Sequence, residues 1–269
     1  MFPKSAAVAS QPTVASSAHQ PSSPEKVLQS FNTWRFKREQ PSDTPRLLAL
    51  VESTASARKP LEFVMYWGKG PRHRIADPDH HCLAFLARMA SSVTDAYAPG
   101  ARITLIFTDT HAALNGHAPN TIDAYGKDIQ AAASAHGFGF ERLSTLITAL
   151  NARSNPQPDD EPSDDIMTVL EASAARWYAG PLSTRHAARH YFDQNMIERR
   201  AVEATHPHAI FVTFNNSRHR PLFPEHMPIF YMYSLRKGFA VKPWFLDENC
   251  NPATLPPSWH RPLPTVAAE

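Results

Sequence analysis

Short apolar runs alternate with helical patterns through the middle of the chain. Leu61–Trp67 and Arg102–Phe107 are dominated by aliphatic, β-branched and aromatic residues, which is the pattern of strands buried on both faces of a sheet. Between them, apolar residues recur at spacings of three and four up to Tyr97, after a helix start at Asp77-Pro78-Asp79. The pattern predicts a strand, a helix and a second, parallel strand joined by a right-handed crossover.

Similar patterns on either side of this unit extend the predicted fold. Further strands are predicted at 209–214, 229–233 and 239–245, the last two forming an antiparallel pair because the turn between them is short. Helices are predicted from 24 to 36, from about 42, from 120, over 143–150, and over 166–200 with a break at Gly180-Pro181. The fold class is therefore α/β, with a mostly parallel sheet, flanking helices and antiparallel strands near the C-terminus.

Composition divides the chain into a tail and one larger unit. Residues 1–24 are rich in Ala, Ser, Pro and Gln and predict a disordered tail. Residues 25–269 form one predicted domain with a helical insertion around 151–205. A hydrophobic fraction of 42% is sufficient for a substantial core.

Charge and cysteine content exclude several classes of protein. The formal net charge of +2 gives no reason to expect nucleic acid or a membrane surface as a partner. No apolar run approaches the roughly 20 residues of a membrane span, and no secretory signal is recognisable. Two cysteines fit a reducing compartment, so we expect a cytoplasmic protein.

Glycine is scarce, with only 9 residues in the chain. Neither of the usual nucleotide-binding motifs occurs, the G-x-G-x-x-G pattern or the Walker pattern. If the protein binds a phosphate, side chains must therefore provide much of the binding.

Polar loops follow the first two predicted strands. Thr108, Asp109, His111 and Asn115 come after the second strand. A basic loop follows the first strand, with potentially cationic side chains at Lys69, Arg72, His73 and Arg74. Ligands of open α/β sheets bind beyond the carboxyl ends of the strands, where both loops are expected to emerge. The alternatives are a turn capped by Asp109 or Thr110 and a solvated basic turn.

A third polar loop follows the strand predicted at 209–214. It contains Asn215, Asn216 and Arg218, which we expect to complete the pocket. His186 and His190 have the spacing of a helical metal pair, but no third ligand lies nearby in sequence, so no metal site is predicted.

The segment from about Asp79 to Ile129 resembles the isocyanide (isonitrile) synthase family, which includes fungal spore-wall dityrosine enzymes. The resemblance rests on the run Tyr97–Thr104, on Asp109, and on Asp123-Ala124-Tyr125, with Lys69 similar to the lysine of the family's N-terminal signature. The chain has Asp-Thr-His where the family usually has Asp-Gly-Arg, and Asn115 where the family has an acidic residue.

The resemblance implies a Rossmann-like core and a carbon–nitrogen bond-forming enzyme of secondary metabolism without a cofactor. Such enzymes join the amine of an amino acid to ribulose 5-phosphate, so both small molecules are expected partners; a partner oxygenase is left open. Asp109, His111 and Lys69 are then the candidate catalytic residues, His111 because the imidazole group in general titrates near neutral pH. The candidate substrate-binding residues are Arg72, His73, Arg74, Thr108, Asn115, Tyr125, Asn215, Asn216 and Arg218.

Two other functions remain open at this point. The changed loop at 109–115 favours a Rossmann-like binding protein that holds a sugar phosphate or an amino acid without converting it. Fourteen histidines leave room for a His-dependent metalloenzyme.

Overall fold

The computed structural model describes residues 23–232, apart from 69–70, 72, 154–160, 179–180 and 216. Within these residues, eight α-helices and five β-strands are formed, with a 3₁₀-helix at Ser217–Leu222. The strands are β1 (Leu61–Trp67), β2 (Ala101–Phe107), β3 (Gly139–Arg142), β4 (Ile210–Thr213) and β5 (Ile229–Tyr231). The helices are α1 (Pro24–Phe31), α2 (Thr44–Ser56), α3 (Asp77–Ala96), α4 (Asp109–Leu114), α5 (Pro119–Ala135), α6 (Leu143–Arg153), α7 (Asp164–Trp177) and α8 (Thr184–Thr205).

The five strands form one sheet in the order β3-β2-β1-β4-β5, and every neighbouring pair is parallel. Trp67 lies opposite Phe107, and Met65 lies opposite Val212, so the ends of β1, β2 and β4 are close to level. The strand order reverses direction at β1, between β2 on one side and β4 on the other. The predicted α/β class and its mostly parallel sheet are confirmed.

Side chains alternate between two apolar layers along the central strand. Phe63, Met65 and Trp67 point to the layer formed with α1, α2, α3 and α5. Val64 and Tyr66 point to the opposite layer, formed with α6 and α8. This alternation follows from the two-residue period of a strand, and it explains why β1 reads as a continuous apolar run.

Local capping fixes several helix starts. Asp43 accepts a hydrogen bond from the backbone N–H of Arg46 at 2.9 Å, and Ser163 and Ser183 cap α7 and α8 in the same way. Pro lies in the first turn of α1, α2, α3 and α5, where its missing N–H costs no helical hydrogen bond. The predicted helices therefore begin close to the expected residues.

The N-terminal segment covers the outer edge of β5. The backbone N–H of Arg38 donates to the Tyr231 carbonyl at 2.8 Å, and that of Ser42 donates to the Ile229 carbonyl at 3.1 Å. Lys37 forms an antiparallel bridge with Met232. These contacts satisfy backbone groups of an otherwise exposed edge strand.

Three of the predicted elements differ from the structure. The first helix ends at Phe31, at a cap formed by Asn32, rather than continuing to 36. The stretch predicted as a polar loop after β2 folds as α4, and β3 was not predicted, because four half-buried residues give too short a pattern. β5 pairs in parallel with β4. Its antiparallel pairing with 239–245 stays a prediction, because that segment lies outside the described residues, as do residues 1–22 of the predicted tail.

Candidate active site

The carboxyl ends of β1, β2 and β4 define the candidate site. In an open α/β sheet, a ligand crevice forms where the strand order reverses, which here is between β1 and β4. The loop after β1 and the loop after β4 flank that point, and the segment after β2 lies beside them. The sheet therefore brings the three polar segments singled out in the sequence to one edge.

Close packing holds the start of the first loop against β2. Gly68 has a φ of +91°, and a Cβ there would overlap the ring of Phe107. The hydroxyl and the backbone N–H of Thr108 both donate to the Trp67 carbonyl, at 2.9 and 2.7 Å. Glycine is therefore required at position 68. Buried Thr108 joins the start of the segment after β2 to the end of β1.

Asp109 is the first residue of α4 and forms hydrogen bonds through both carboxylate oxygens. Its Oδ1 accepts from the backbone N–H groups of Ser144 and Thr110, at 3.0 and 3.1 Å. Its Oδ2 accepts from the Ser144 hydroxyl at 2.5 Å. Ser144 lies in the first turn of α6, so Asp109 satisfies an N–H that the helix itself leaves without an acceptor.

Arg142 joins two of the acidic residues that carry the family resemblance. Its Nη1 lies 2.8 Å from Asp123 Oδ1 and 3.8 Å from Asp109 Oδ2. The guanidinium also lies over the ring of Phe107, 5.6 Å from its centre. The formal charge of this group of three is −1, and the Arg142 side chain keeps 32% of its surface exposed.

His111 of α4 and Glu198 of α8 form a buried pair between the two helices. His111 Nδ1 lies 3.1 Å from Glu198 Oε2, and neither side chain is exposed to solvent. Glu198 Oε1 accepts from the Thr110 hydroxyl at 2.8 Å and from the Gln194 amide at 2.9 Å. The edge of the His111 ring meets Tyr191, with ring centres 4.7 Å apart.

Tyr125 belongs to a second internal network. Its hydroxyl donates to Asp79 Oδ1 at 2.8 Å and accepts from Trp67 Nε1 at 3.3 Å. Asp79 Oδ2 accepts from the backbone N–H of Ala76 at 3.0 Å, which ties the loop after β1 to the start of α3. Tyr125 is buried, and these hydrogen bonds join α5 to the end of β1 and to α3.

The other predicted site residues occupy different environments. His73 and Arg74 are exposed beyond β1, half-buried Asn115 forms the C-cap of α4, and the N–H of half-buried Asn215 donates to the Thr213 hydroxyl at 3.1 Å. Lys69, Arg72 and Asn216 lie outside the described residues, and Arg218 is described only as part of the 3₁₀-helix. The substrate-binding assignments stay predictions.

A pocket of about 300 Å³ opens at the C-terminal end of α4. It is lined by apolar and aromatic side chains with one imidazole: Ala113, Leu114, Tyr178, Pro181, Leu182, Ala187, His190 and Tyr191. Its volume lies at the lower end of the range for small-molecule sites. Tyr191 connects this pocket to the buried His111 ring.

Burial sets the protonation of tyrosines near the site. It raises the pKa of Tyr66 well above its usual value, and the Glu198 and Glu203 carboxylates raise it further. Burial raises the pKa of Tyr191 in the same way. Both hydroxyls are therefore neutral around Glu198 at ordinary pH. Burial lowers the pKa of His117, which follows α4.

Within the described residues, no group of three His, Cys, Asp or Glu side chains is arranged to hold a metal ion. His186 contacts the Ser183 hydroxyl at 3.0 Å, while His190 lines the pocket. None of the helices in the described part of the chain combines the length and the apolar character that a membrane crossing requires.

Sequence reasoning missed four residues that organise this site. Arg142 ends β3 and Ser144 lies in the first turn of α6, and recognising the strand would have placed both at the same edge as Asp109. Asp79 was read only as a helix start. Glu198 lies in the middle of α8, 87 residues from His111, and no local pattern marks it as buried.

These features define an α/β protein with a Rossmann-like core and a polar network at the carboxyl edge of its sheet. No protein-family model matches the chain, and no curated protein matches it. Among solved structures, the fold is similar to that of the PvcA protein from Pseudomonas aeruginosa, with a TM-score of 0.60 and 14% sequence identity. The similarity covers 81% of this chain and 87% of PvcA, so the two proteins share a fold over most of their length.

Proposed function

We propose that this chain is an isocyanide synthase-like enzyme, which condenses the amine of an amino acid with a ketose phosphate such as ribulose 5-phosphate. The observation that carries the proposal is the meeting of Asp109 and Asp123 at Arg142, with nitrogen–oxygen distances of 3.8 and 2.8 Å. These two acids belong to the motif that resembles the family, and they come from separate helices. The fold that the chain shares with PvcA supports the Rossmann-like core that this proposal requires.

The reaction requires three functions from the protein. The amine must lose a proton, the carbonyl oxygen must gain protons as water leaves to form an imine, and the phosphate must be held. Asp109 at the start of α4 is assigned to proton transfer, and Lys69, Arg72 and Arg74 are assigned to the phosphate. Their loop leaves β1 at the sheet edge where α4 begins.

His111 is not assigned to proton transfer in this scheme, although an imidazole is suited to that role. Its side chain has no exposed surface and is engaged by Glu198. Direct proton transfer to a substrate would require α4 to move away from α8. We therefore assign proton transfer first to Asp109, whose side chain keeps 10% of its surface exposed.

The test is turnover by the purified full chain. A panel of amino acids is incubated with ribulose 5-phosphate, and the product is followed by its isocyanide infrared band. We expect Asp109→Asn to abolish the band while keeping the circular dichroism spectrum of the parent. Asp95→Asn is the matched control, because Asp95 is an exposed carboxylate near the C-terminal end of α3. An active, folded Asp109→Asn variant contradicts the assignment.

A binding protein without turnover is the second candidate. It is favoured by the three hydrogen bonds that Asp109 accepts from Thr110 and Ser144, because a carboxylate used in this way stabilises α6. Calorimetry separates the two functions. Saturable binding of ribulose 5-phosphate with no isocyanide from any amino acid favours the binding protein.

A further inference from the structure

Helix α4 is held in place by contacts from other helices. It has 6 residues, and its N-cap residue Thr108 makes no side-chain capping hydrogen bond. Isolated helices of this length are unstable in water. Side chains of its first turn instead make bonds outward, from Asp109 to α6 and from Thr110 and His111 to α8.

The bonds from Thr110 and His111 to α8 are both made with the Glu198 carboxylate. Glu198 Oε1 faces two donors, the Thr110 hydroxyl at 2.8 Å and the Gln194 amide at 2.9 Å, and Oε2 faces His111 Nδ1 at 3.1 Å. An ionised carboxylate accepts all three bonds at once, whereas a protonated one would have to donate one of them. A buried carboxylate without such partners would be strongly unfavourable.

The other ionisable groups near His111 and Glu198 are compatible with an ionised Glu198. Tyr66 and Tyr191 stay neutral because burial raises the pKa of each hydroxyl well above its usual value. Arg199 follows Glu198 on α8 and is itself buried, and its guanidinium lies 3.7 Å from Glu225. The proton shared by Glu198 and the imidazole is then expected on His111 Nδ1.

We propose that Glu198 is a positioning residue, which keeps His111 protonated at Nδ1 and clamps α4 onto α8 so that Asp109 stays at the sheet edge. The hydrogen bond made by one ring nitrogen fixes which nitrogen carries the proton. The kinetic consequence of this clamp rests on the proposed function, whereas its effect on His111 does not. The clamp lies at the positions where the chain has Thr110-His111 in place of the family's usual Gly-Arg.

The first experiment is a long-range proton–nitrogen NMR spectrum of the ¹⁵N-labelled full chain at neutral pH. His111 is assigned as the resonance lost in His111→Gln. We expect a protonated Nδ1 in the parent and loss of this signature in Glu198→Met, which removes both acceptor oxygens. The signature should stay in Glu203→Met, which removes an α8 carboxylate that accepts from the backbone at 225–226. A parent His111 protonated only at Nε2, or an unchanged signature in Glu198→Met, overturns the proposal.

The second experiment measures turnover, where displacement of Asp109 by about 1 Å is expected to lower kcat by about 100-fold. Glu198→Met should show this loss with little change in KM, and Glu203→Met should not; equal kcat values in the parent and Glu198→Met overturn the clamp.

A parent without turnover contradicts the proposed function alone, since the NMR result still decides the placement of His111. If Glu198→Met does not fold, Thr110→Val removes one donor to Glu198, and an unshifted His111 resonance in that variant overturns the clamp.

Discussion

Replacing Asp109 separates the structural contribution of its carboxylate from its chemical one. Both backbone N–H groups that it binds donate to Oδ1, while the Ser144 hydroxyl donates to Oδ2. In Asp109→Asn the amide oxygen keeps the two backbone bonds. The amide nitrogen replaces Oδ2 and donates to the Ser144 oxygen once that hydroxyl rotates. In Asp109→Ala all three bonds are lost.

The two variants should therefore differ in stability. A hydrogen bond to a charged group contributes about 1.5–3 kcal/mol and a neutral one about 0.5–1.5 kcal/mol, so we expect Asp109→Asn to cost about 1 kcal/mol. Asp109→Ala also leaves the Ser144 N–H at the start of α6 without an acceptor, which adds a cost similar to the loss of a helix cap. We expect about 3 kcal/mol in total for the alanine variant.

Urea unfolding of the three proteins measures these differences as shifts in midpoint at a constant slope. Thermal unfolding should show the same order, with about 2–4 °C for each kcal/mol. Ser144→Ala removes only the bond to Oδ2 and should fall between the parent and Asp109→Ala. Equal stability of the asparagine and alanine variants would refute the reasoning, because it would mean that Asp109 does not support α6.

Three further predictions concern the packing around the site. Gly68→Ala should destabilise the protein by more than about 1 kcal/mol in urea unfolding, because the new Cβ overlaps the Phe107 ring. Gly116→Ala, which has a positive φ but no neighbour within 4 Å of the new Cβ, should cost only about 1 kcal/mol. Tyr125→Phe should cost about 1–3 kcal/mol by the same assay, because it removes a hydroxyl that donates to a buried carboxylate on α3; an unchanged midpoint contradicts this network. Burial raises the pKa of Tyr231 to about 12, so the folded state retains a proton that the unfolded state loses above about pH 10. Its contribution to stability is complete below pH 10 and is lost as pH rises towards 12, which urea midpoints across this range measure in the parent against Tyr231→Phe; equal slopes contradict the prediction.

The candidate site was predictable from the sequence where its residues follow apolar runs. Asp109 and the loop after β1 were placed at one sheet edge because parallel strands end on the same side. Ser144 and Arg142 were missed because β3 has only 4 half-buried residues, which give no clear period. Glu198 was missed because its partner His111 lies on another helix, and sequence spacing carries no information about that distance.

The sequence by itself determined the elements and their order in the central unit. Continuous apolar runs gave β1, β2 and β4, and acidic, serine and proline residues gave the helix starts, because these signals are local and need only a few neighbouring residues. Tertiary structure alone decided that α4 is a helix, that Asp109 supports α6, and that Glu198 holds His111. These features depend on contacts between segments far apart in the chain, where burial and hydrogen-bond partners outweigh local preference.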